Sequence, residues 1–391
     1  MDTKKHVAVA VSGGVDSLVA AFLLKNIYPN LFGVHFTSGY EPVLKDEKEM
    51  SKSLEEQLNI PIYSIDLKNE FEKEVVSYFV ETYKTGKTPN PCIICNHKIK
   101  FGALYQAAKD LGADLLATGH YANIISKLDS DIDTTKLNSY KSPLLRLLKG
   151  KDNLKDQSYF LAMLSSNQLE KAIFPLGGYT KQEVIAIAAQ NRLFPIHKKE
   201  SQDICFIPQN SFPDFILSKW KTANSSQTID PSKSTNETSP FASGDIVTTD
   251  NRVVGRHRGL FAYTVGQRRG LNCPAPAPYY VKKIDMEQNR LIVGFKEELF
   301  SDSCVVNNIN WLAPNISTCL VAKSLKITTR IRYSHLGAIS TLICDSAKNE
   351  KHESLPNRIK VLFDEPQLAV TPGQCAVFYD KDEVIGAGFI E

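Results

Sequence analysis

No stretch of this sequence approaches the roughly 18 consecutive apolar residues that a membrane-crossing helix requires. The opening residues, MDTKKHVAVAVSGG, hold a single short apolar run, Val7–Val11, ahead of a glycine pair. That run is too short for a secretory leader and has the β-branched texture of a strand, so a cytoplasmic setting without membrane contact is expected. A surplus of one charge is missing as well. The 46 Lys and Arg stand against 43 Asp and Glu, a net +3, so only local clustering can point to a polyanionic partner. There is no internal repeat. The composition, 42% hydrophobic and 23% charged over 391 residues, excludes general disorder and predicts two or three domains with real cores. The eight cysteines (92, 95, 205, 273, 304, 319, 344 and 375) come without an export signal. They are expected to stay reduced, most of them as small buried hydrophobes.

Strand and helix patterns alternate through the first 120 residues. Val7–Val11 runs into Ser12-Gly13-Gly14, and Leu18–Lys25 reads as a buried helix. Leu31–Phe36 and Pro61–Leu67 are further strands, with the charged helical stretch Glu47–Leu58 between them. Phe71, Val75, Tyr78, Phe79 and Thr82 recur at helical spacing before Gly86. A helix is expected over Ile99–Leu111, followed by a strand over Leu115–Thr118. The alternation predicts an α/β domain with a parallel sheet covered on both faces, its ligands beyond the carboxyl ends of the strands. Ser126–Pro143 is polar and reads as a surface insertion, and Thr222–Pro240, rich in Ser, Thr and Asn, as a linker or flexible loop. After residue 280 the chain changes to short alternating segments: Tyr280–Ile284, Leu291–Val293, Ile327–Tyr333, Ile339–Cys344, Ile359–Phe363 and Ala376–Tyr379. These predict a small antiparallel barrel or sandwich.

Ser12–Ser17 (SGGVDS), between a strand and a helix, has the chemistry of an anion-binding turn. Glycines let backbone N–H groups approach phosphate, the helix N-terminus adds positive potential, and serines donate. No lysine lies within it, so it is not the GxxxxGK[ST] loop. It suits the pyrophosphate leaving from an ATP cut between its α- and β-phosphates, with Asp16 acting through Mg²⁺. The plainer reading is a tight turn of small residues. Thr88–Asn96 (TPNPCIICN) carries a CxxC pair open to three readings: half a zinc site, a redox pair or a low-pKa nucleophile. No second CxxC or CxxH completes a zinc site. Lys98, Lys100 and the N-terminus of the helix expected from Ile99 favour a thiolate at Cys95. Cys205, within Glu200–Ile207 (ESQDICFI), reads by itself as a core cysteine. From Arg252 to Arg269 there are five arginines and no acidic residue, interleaved with aromatics and glycines. That pattern suits a phosphate backbone with splayed bases, or else a solvated hairpin.

These motifs, with Ala117-Thr118-Gly119-His120-Tyr121, Asp156–Leu161 (DQSYFL) and Pro372-Gly373-Gln374, stand in one order over almost the whole chain. In that order the sequence resembles the tRNA-specific 2-thiouridylase family. SGGVDS alone would carry the likeness only to the broader ATP-pyrophosphatase superfamily. The resemblance implies three parts: an adenine nucleotide α-hydrolase-like α/β domain over 1–205, a small central tRNA-binding domain over 206–275 with a flexible 222–240 segment, and a C-terminal antiparallel β-barrel over 276–391. It implies an ATP site lined by Ala10, Val11, Ser12, Gly13, Gly14, Val15, Asp16, Ser17, Phe36 and Gly119. Cys95 matches the catalytic cysteine and Cys205 the persulfide carrier. Asn90, Pro91 and Cys92 would sit at the target base, and His120, Lys155, Asp156, Gln157, Arg332, Tyr333 and Gln374 on the tRNA.

The implied reaction makes chemical sense. A uracil C2 oxygen is a poor leaving group, and adenylation by ATP turns it into AMP. A persulfide on one cysteine, loaded by a sulfur-donor protein of a cysteine desulfurase relay, then attacks. A second cysteine breaks the remaining S–S bond and leaves a disulfide bond. The expected assignment is Cys205 as carrier and Cys95 as resolver, in a monomer that takes ATP, Mg²⁺ and a tRNA with a wobble uridine, and holds no structural metal. Two features depart from the family pattern. Cys92 stands where many relatives have Asp, and Thr37-Ser38-Gly39-Tyr40 replaces an asparagine–tryptophan pattern after Phe36. The competing readings are a lysidine-forming or amidating ligase of the same superfamily, and a non-catalytic zinc-stapled RNA-binding protein.

Overall fold

The computed structural model describes residues 3–41, 47–126, 145–196, 204–207, 212–224, 241–313, 324–344 and 356–391. Most of the expected insertion and flexible segment, and Glu200–Asp203 of the Cys205 motif, lie outside the described residues. Among the described residues no helix is long and apolar enough to cross a membrane.

The first unit runs β1 (Val7–Ala10), α1 (Val15–Lys25), β2 (Leu31–Thr37), α2 (Glu47–Leu58), β3 (Ile62–Asp66), α3 (Lys68–Phe71), α4 (Ser77–Lys84), α5 (Pro91–Ile94) and α6 (Tyr105–Asp110). It continues with β4 (Leu115–Ala117), β5 (Ala122–Ser126), β6 (Leu145–Lys149), α7 (Ser158–Leu161), α8 (Ser166–Glu170), β7 (Ala172–Ile173) and α9 (Lys181–Gln190). Five strands pair in parallel in the order β3-β2-β1-β4-β7. Side chains alternate across a strand, so Val7 and Val9 pack with Leu18, Leu54 and Val184, while Ala8 faces Phe71, Phe79 and Leu104. Both faces are covered, as the alternating pattern predicts. The chain leaves β1 towards β2 on one side and reaches β4 on the other. The carboxyl ends of β1 and β4 therefore flank a switch point, where open α/β sheets bind ligands.

The helix that carries the CxxC pair starts earlier than its composition implies. It begins at Pro91, not Ile99, and runs from α5 through the π-wound segment Cys95–Leu104 into α6. Asn90 caps it by accepting from the Ile93 N–H at 3.4 Å. Pro91 fills the first helical position, where a missing N–H costs nothing. Cys92 and Cys95 thus lie in the first turns of the helix. π-wound turns widen a helix locally and are frequent at functional sites.

After α10 (Phe212–Asn224) come β8 (Gly244–Thr248), β9 (Val253–His257), β10 (Tyr280–Asp285) and β11 (Arg290–Gly294), which form one four-stranded sheet, β10-β11-β8-β9. The first two segments expected to open the barrel belong instead to this central sheet. β11 pairs with β8, and Val281, Leu291 and Val293 pack on Ile246, Leu260 and Tyr263. The barrel has six strands: β12 (Phe300–Trp311), β13 (Ser324–Arg330), β14 (Ala338–Cys344), β15 (Arg358–Leu368), β16 (Cys375–Asp380) and β17 (Glu383–Ile390). β12 pairs with both β15 and β17 and so closes it around Val306, Leu342, Val361 and Phe378. β13 ends at Arg330, so Arg332 and Tyr333, expected at the end of a strand, lie on the loop beyond it.

Two contacts lock the barrel to the first unit. The β5–β6 hairpin extends the barrel sheet at β17, with Leu148 opposite Glu383 and Arg146 paired to Glu383. Gln374 Nε2 donates to the carbonyls of Thr88 (3.3 Å) and Pro89 (3.0 Å), just ahead of the CxxC helix. Gly373 permits this approach: it has φ +87°, and a Cβ there would lie 2.7 Å from the Thr88 oxygen.

Candidate active site

The Ser12–Ser17 turn is built locally. β1 stops at Ala10, the chain turns through Gly13 (φ 81°), and Gly14 caps α1 with no side-chain hydrogen bond. Ser17 Oγ donates to the Gly14 carbonyl (2.9 Å) and accepts from the Ser12 N–H (3.2 Å), which holds the turn. Gly119, just past β4, lies directly on this turn: a Cβ there would sit 2.9 Å from the Asp16 carbonyl carbon. Phe36 is half-buried near the end of β2. Asp16 accepts from Tyr121 Oη (2.6 Å), and both its oxygens bond Lys181 Nζ at 2.8 Å. Lys181 opens α9 behind a Thr180–Glu183 capping box, with its side chain only 12% exposed. Sequence reasoning missed this lysine. The turn contains none, and the one that serves it arrives from a distant helix whose start the Thr-x-x-Glu pattern does mark.

The thiols converge from two distant segments. Solvent reaches Cys92 and Cys205, while Cys95 is half-buried. Cys205 is placed by its neighbour: Phe206 is 3% exposed and its ring packs on Phe71 (5.6 Å), Phe79 (5.3 Å), Phe215 (5.6 Å) and Tyr40 (5.8 Å). Tyr40, in the segment that departs from the family pattern, donates to Glu72, which also pairs with Lys219 of α10 at 2.7 Å. Tyr40 is thus part of the aromatic anchor under Cys205.

Although solvent still touches Cys92 and Cys205, the protein packed around the recess displaces much of the water near all three thiols. Burial pushes Cys95 up to about 12 and Cys92 up to about 11, and raises Cys205. The Lys100 ammonium pulls all three down, while a charge on Cys205 would push Cys92 and Cys95 up. The three sulfurs and Lys100 thus share one local field. This corrects the expected thiolate at Cys95: lost hydration outweighs Lys100, and Lys98 points to solvent. Lys100 Nζ lies 3.4 Å from His120 Nε2, and His120 Nδ1 lies 2.7 Å from Thr118 Oγ1. Burial holds His120 well below its ordinary value, so it is neutral, and a proton on Nδ1 satisfies both contacts. Gly119 and His120 therefore join the two halves, one residue packed on the Ser12–Ser17 turn and the next beside Lys100, the cation near the thiols.

Residues 5–209 match the tRNA methyl transferase HUP domain family, 234–295 the tRNA methyl transferase PRC-barrel domain, and 301–390 the aminomethyltransferase beta-barrel domain. The chain is 41% identical over 384 residues to tRNA-specific 2-thiouridylase MnmA of Desulfosudis oleivorans, covering 98% of this chain and 94% of that one. It is 40% identical to the protein of the same name from Syntrophotalea carbinolica, over 100% of this chain and 99% of the other. The chain belongs to the tRNA-specific 2-thiouridylase family.

In this 2-thiouridylase-family chain, the residues expected on tRNA divide into accessible and internal groups. Lys155, Arg332 and Tyr333 are half-buried on loops, with Arg332 Nη1 donating to the Leu368 carbonyl at 3.1 Å. Asp156 is 3% exposed and spent inside: it accepts from the Gly150 and Ser158 N–H groups and pairs with Arg330 at 3.1 Å. Gln157 Oε1 accepts from the Tyr121 N–H, Gln374 clamps the barrel, and His120 is buried. At the target-base end Asn90 and Pro91 are buried while Cys92 is open. In the central sheet region Arg256, Arg258, Arg268 and Arg269 are all exposed, and the last two line an open recess of about 530 Å³ with Tyr279.

Proposed function

We propose that this chain converts a wobble uridine of tRNA to 2-thiouridine, using ATP and a cysteine-borne persulfide. The observation that supports this best is the Gly119-His120 junction, which sets the Ser12–Ser17 turn beside three thiols and a lysine. A simple ligase of the superfamily needs no such thiols.

The Ser12–Ser17 turn and the uncapped N–H groups of α1 would hold the pyrophosphate end of ATP. The Asp16 carboxylate would hold a Mg²⁺ ion, which would supply charge neutralisation there. Lys181, released from Asp16, would then turn to the phosphates. The uridine O2 attacks the α-phosphorus and pyrophosphate departs. The terminal sulfur of a Cys205 persulfide attacks C2, and AMP leaves with the oxygen. Cys95 next attacks the Cys205 sulfur. The S–S bond to the substrate sulfur breaks, a Cys95–Cys205 disulfide forms, and the Cys95 proton passes to the released 2-thiouracil. An external thiol reductant returns the disulfide to two thiols. A thiol held high by burial suits a resolver that must stay inert until the substrate sulfur is in place.

Incubation with tRNA, ATP, Mg²⁺, a reductant and a persulfide donor tests the reading. Mass spectrometry should find 2-thiouridine, with one AMP and one pyrophosphate released per base. Release of ADP and phosphate would sink it.

A further inference from the structure

Two leucines, on loops linked through side-chain contacts to the CxxC helix, are exposed in a way the chemistry above leaves unused. Leu154 is 90% exposed and Leu336 99%. Single exposed leucines are ordinary on a protein surface, but these two ride on loops held by internal bonds. Asp152 accepts from the Leu154 N–H (3.0 Å) and the Lys181 N–H (2.9 Å). Arg330 reaches both loops: Nη1 donates to Asp156 (3.1 Å), Nε to the His335 carbonyl (2.9 Å), and Nη2 to the Tyr333 carbonyl. His335 is fixed in turn by Gln367 at 2.9 Å. One guanidinium thus ties together the segments that present Leu154 and Leu336. Tyr333, on the loop that carries Leu336, has its ring 4.4 Å from that of Phe160, and the Phe160 carbonyl accepts from Asn96, next to Cys95. Each loop also carries a cation, Lys155 directly after Leu154 and Arg332 four residues before Leu336.

Chemistry on a base in a stacked loop requires that base to leave the stack. Apolar side chains inserted against neighbouring bases hold such openings, while cations grip the phosphates. We propose that Leu154 and Leu336 are wedges that press against the bases flanking the target uridine and keep the anticodon loop open, with Lys155 and Arg332 on the adjoining phosphates. The inference rests on the tRNA reading above and adds to it the residues that hold the substrate apart.

The test uses the full-length enzyme and tRNA carrying 2-aminopurine on one side or the other of the target uridine. With wild-type enzyme the fluorescence should rise on binding, as the neighbouring stack breaks. The double variant Leu154→Ala, Leu336→Ala should bind tRNA but lose most of that rise, and thiolate at least about tenfold more slowly at saturating tRNA. Leu154→Met with Leu336→Met should restore both readouts, because bulk rather than a specific contact is what a wedge needs. The proposal is overturned if the double alanine variant keeps the full rise and rate. It is equally overturned if that variant keeps the rise and slows only when sulfur comes from a donor protein, which would make the leucines a protein-docking site. Wild-type binding without a fluorescence rise removes the wedges alone, whereas failure to bind tRNA at all removes the tRNA reading with them.

Discussion

The phosphate turn and the thiol recess lie side by side but are made in opposite ways. Ser12–Ser17 is contiguous, sits at a strand end, and holds itself with short hydrogen bonds among its own residues. The recess gathers Cys92 and Cys95 from one helix and Cys205 from a segment anchored by Phe206. Its electrostatics run against reaction, with burial raising every sulfur and one lysine opposing it. Under the proposed function, a nucleotide arriving from solution would need a ready site, whereas a sulfane sulfur would need protection from stray thiols and oxidants until its acceptor is activated. If the two halves are separable in this way, each variant should damage its own half-reaction and spare the other.

The largest effect is expected at the sulfurs. Cys95→Ser and Cys205→Ser should each abolish 2-thiouridine formation, since a hydroxyl neither carries a sulfane sulfur nor attacks a persulfide. Both should still release pyrophosphate, measured with labelled ATP, and Cys95→Ser, which keeps the persulfide carrier, should also release AMP. Next comes Lys181→Ala, which removes the cation of the phosphate turn and should slow AMP formation by about a hundredfold. Alkylation of the thiols by iodoacetamide should not change. A change there would break the separation.

Lys100→Met probes the other half. Lys100 lowers all three thiols, so its loss raises them further and leaves less thiolate at any given pH. The alkylation rate of Cys205 should fall about tenfold at pH 8 for each pK unit gained, with its pH profile displaced upward. Replacing Arg268 and Arg269 by Ala should flatten the log K against log salt slope for tRNA by up to about 0.9 per arginine. An unchanged slope and affinity would make that stretch a solvated face. The smallest effect is expected for Cys92→Asp, which restores the commoner family residue and should retain substantial activity, with zinc content followed in parallel. Loss of zinc and activity together in Cys92→Ser, with Cys205→Ser still active, would overturn the roles given to all three cysteines.

The same contrast governs what could be read from the sequence. The phosphate turn was legible because strand, small residues and helix are consecutive. The wound sheet was legible because buried strands and amphipathic helices alternate. The start of the CxxC helix was not, since Pro89 and Pro91 suggest extended chain until Asn90 is seen to cap and Pro91 to open the helix. Lys181 and the burial around Cys95 are tertiary facts: one needs α9 laid beside α1, the other needs protein packed round a polar-looking motif. Short alternating strands look alike from residue 280 onward, so β10 and β11 carry no mark that their partners are β8 and β9 rather than the barrel.

The hairpin grafted onto the barrel has a consequence for synthesis. Arg146 and its partner Glu383 are 237 positions apart. At about 5–20 residues per second, a ribosome takes roughly 10–50 s to make the strand that completes the edge of β6. Throughout that interval the growing chain displays an open strand edge, the kind of surface that recruits wrong partners. Chaperone demand should therefore track elongation through the barrel segment, and slow codons there should lower the soluble yield more than slow codons within the first unit.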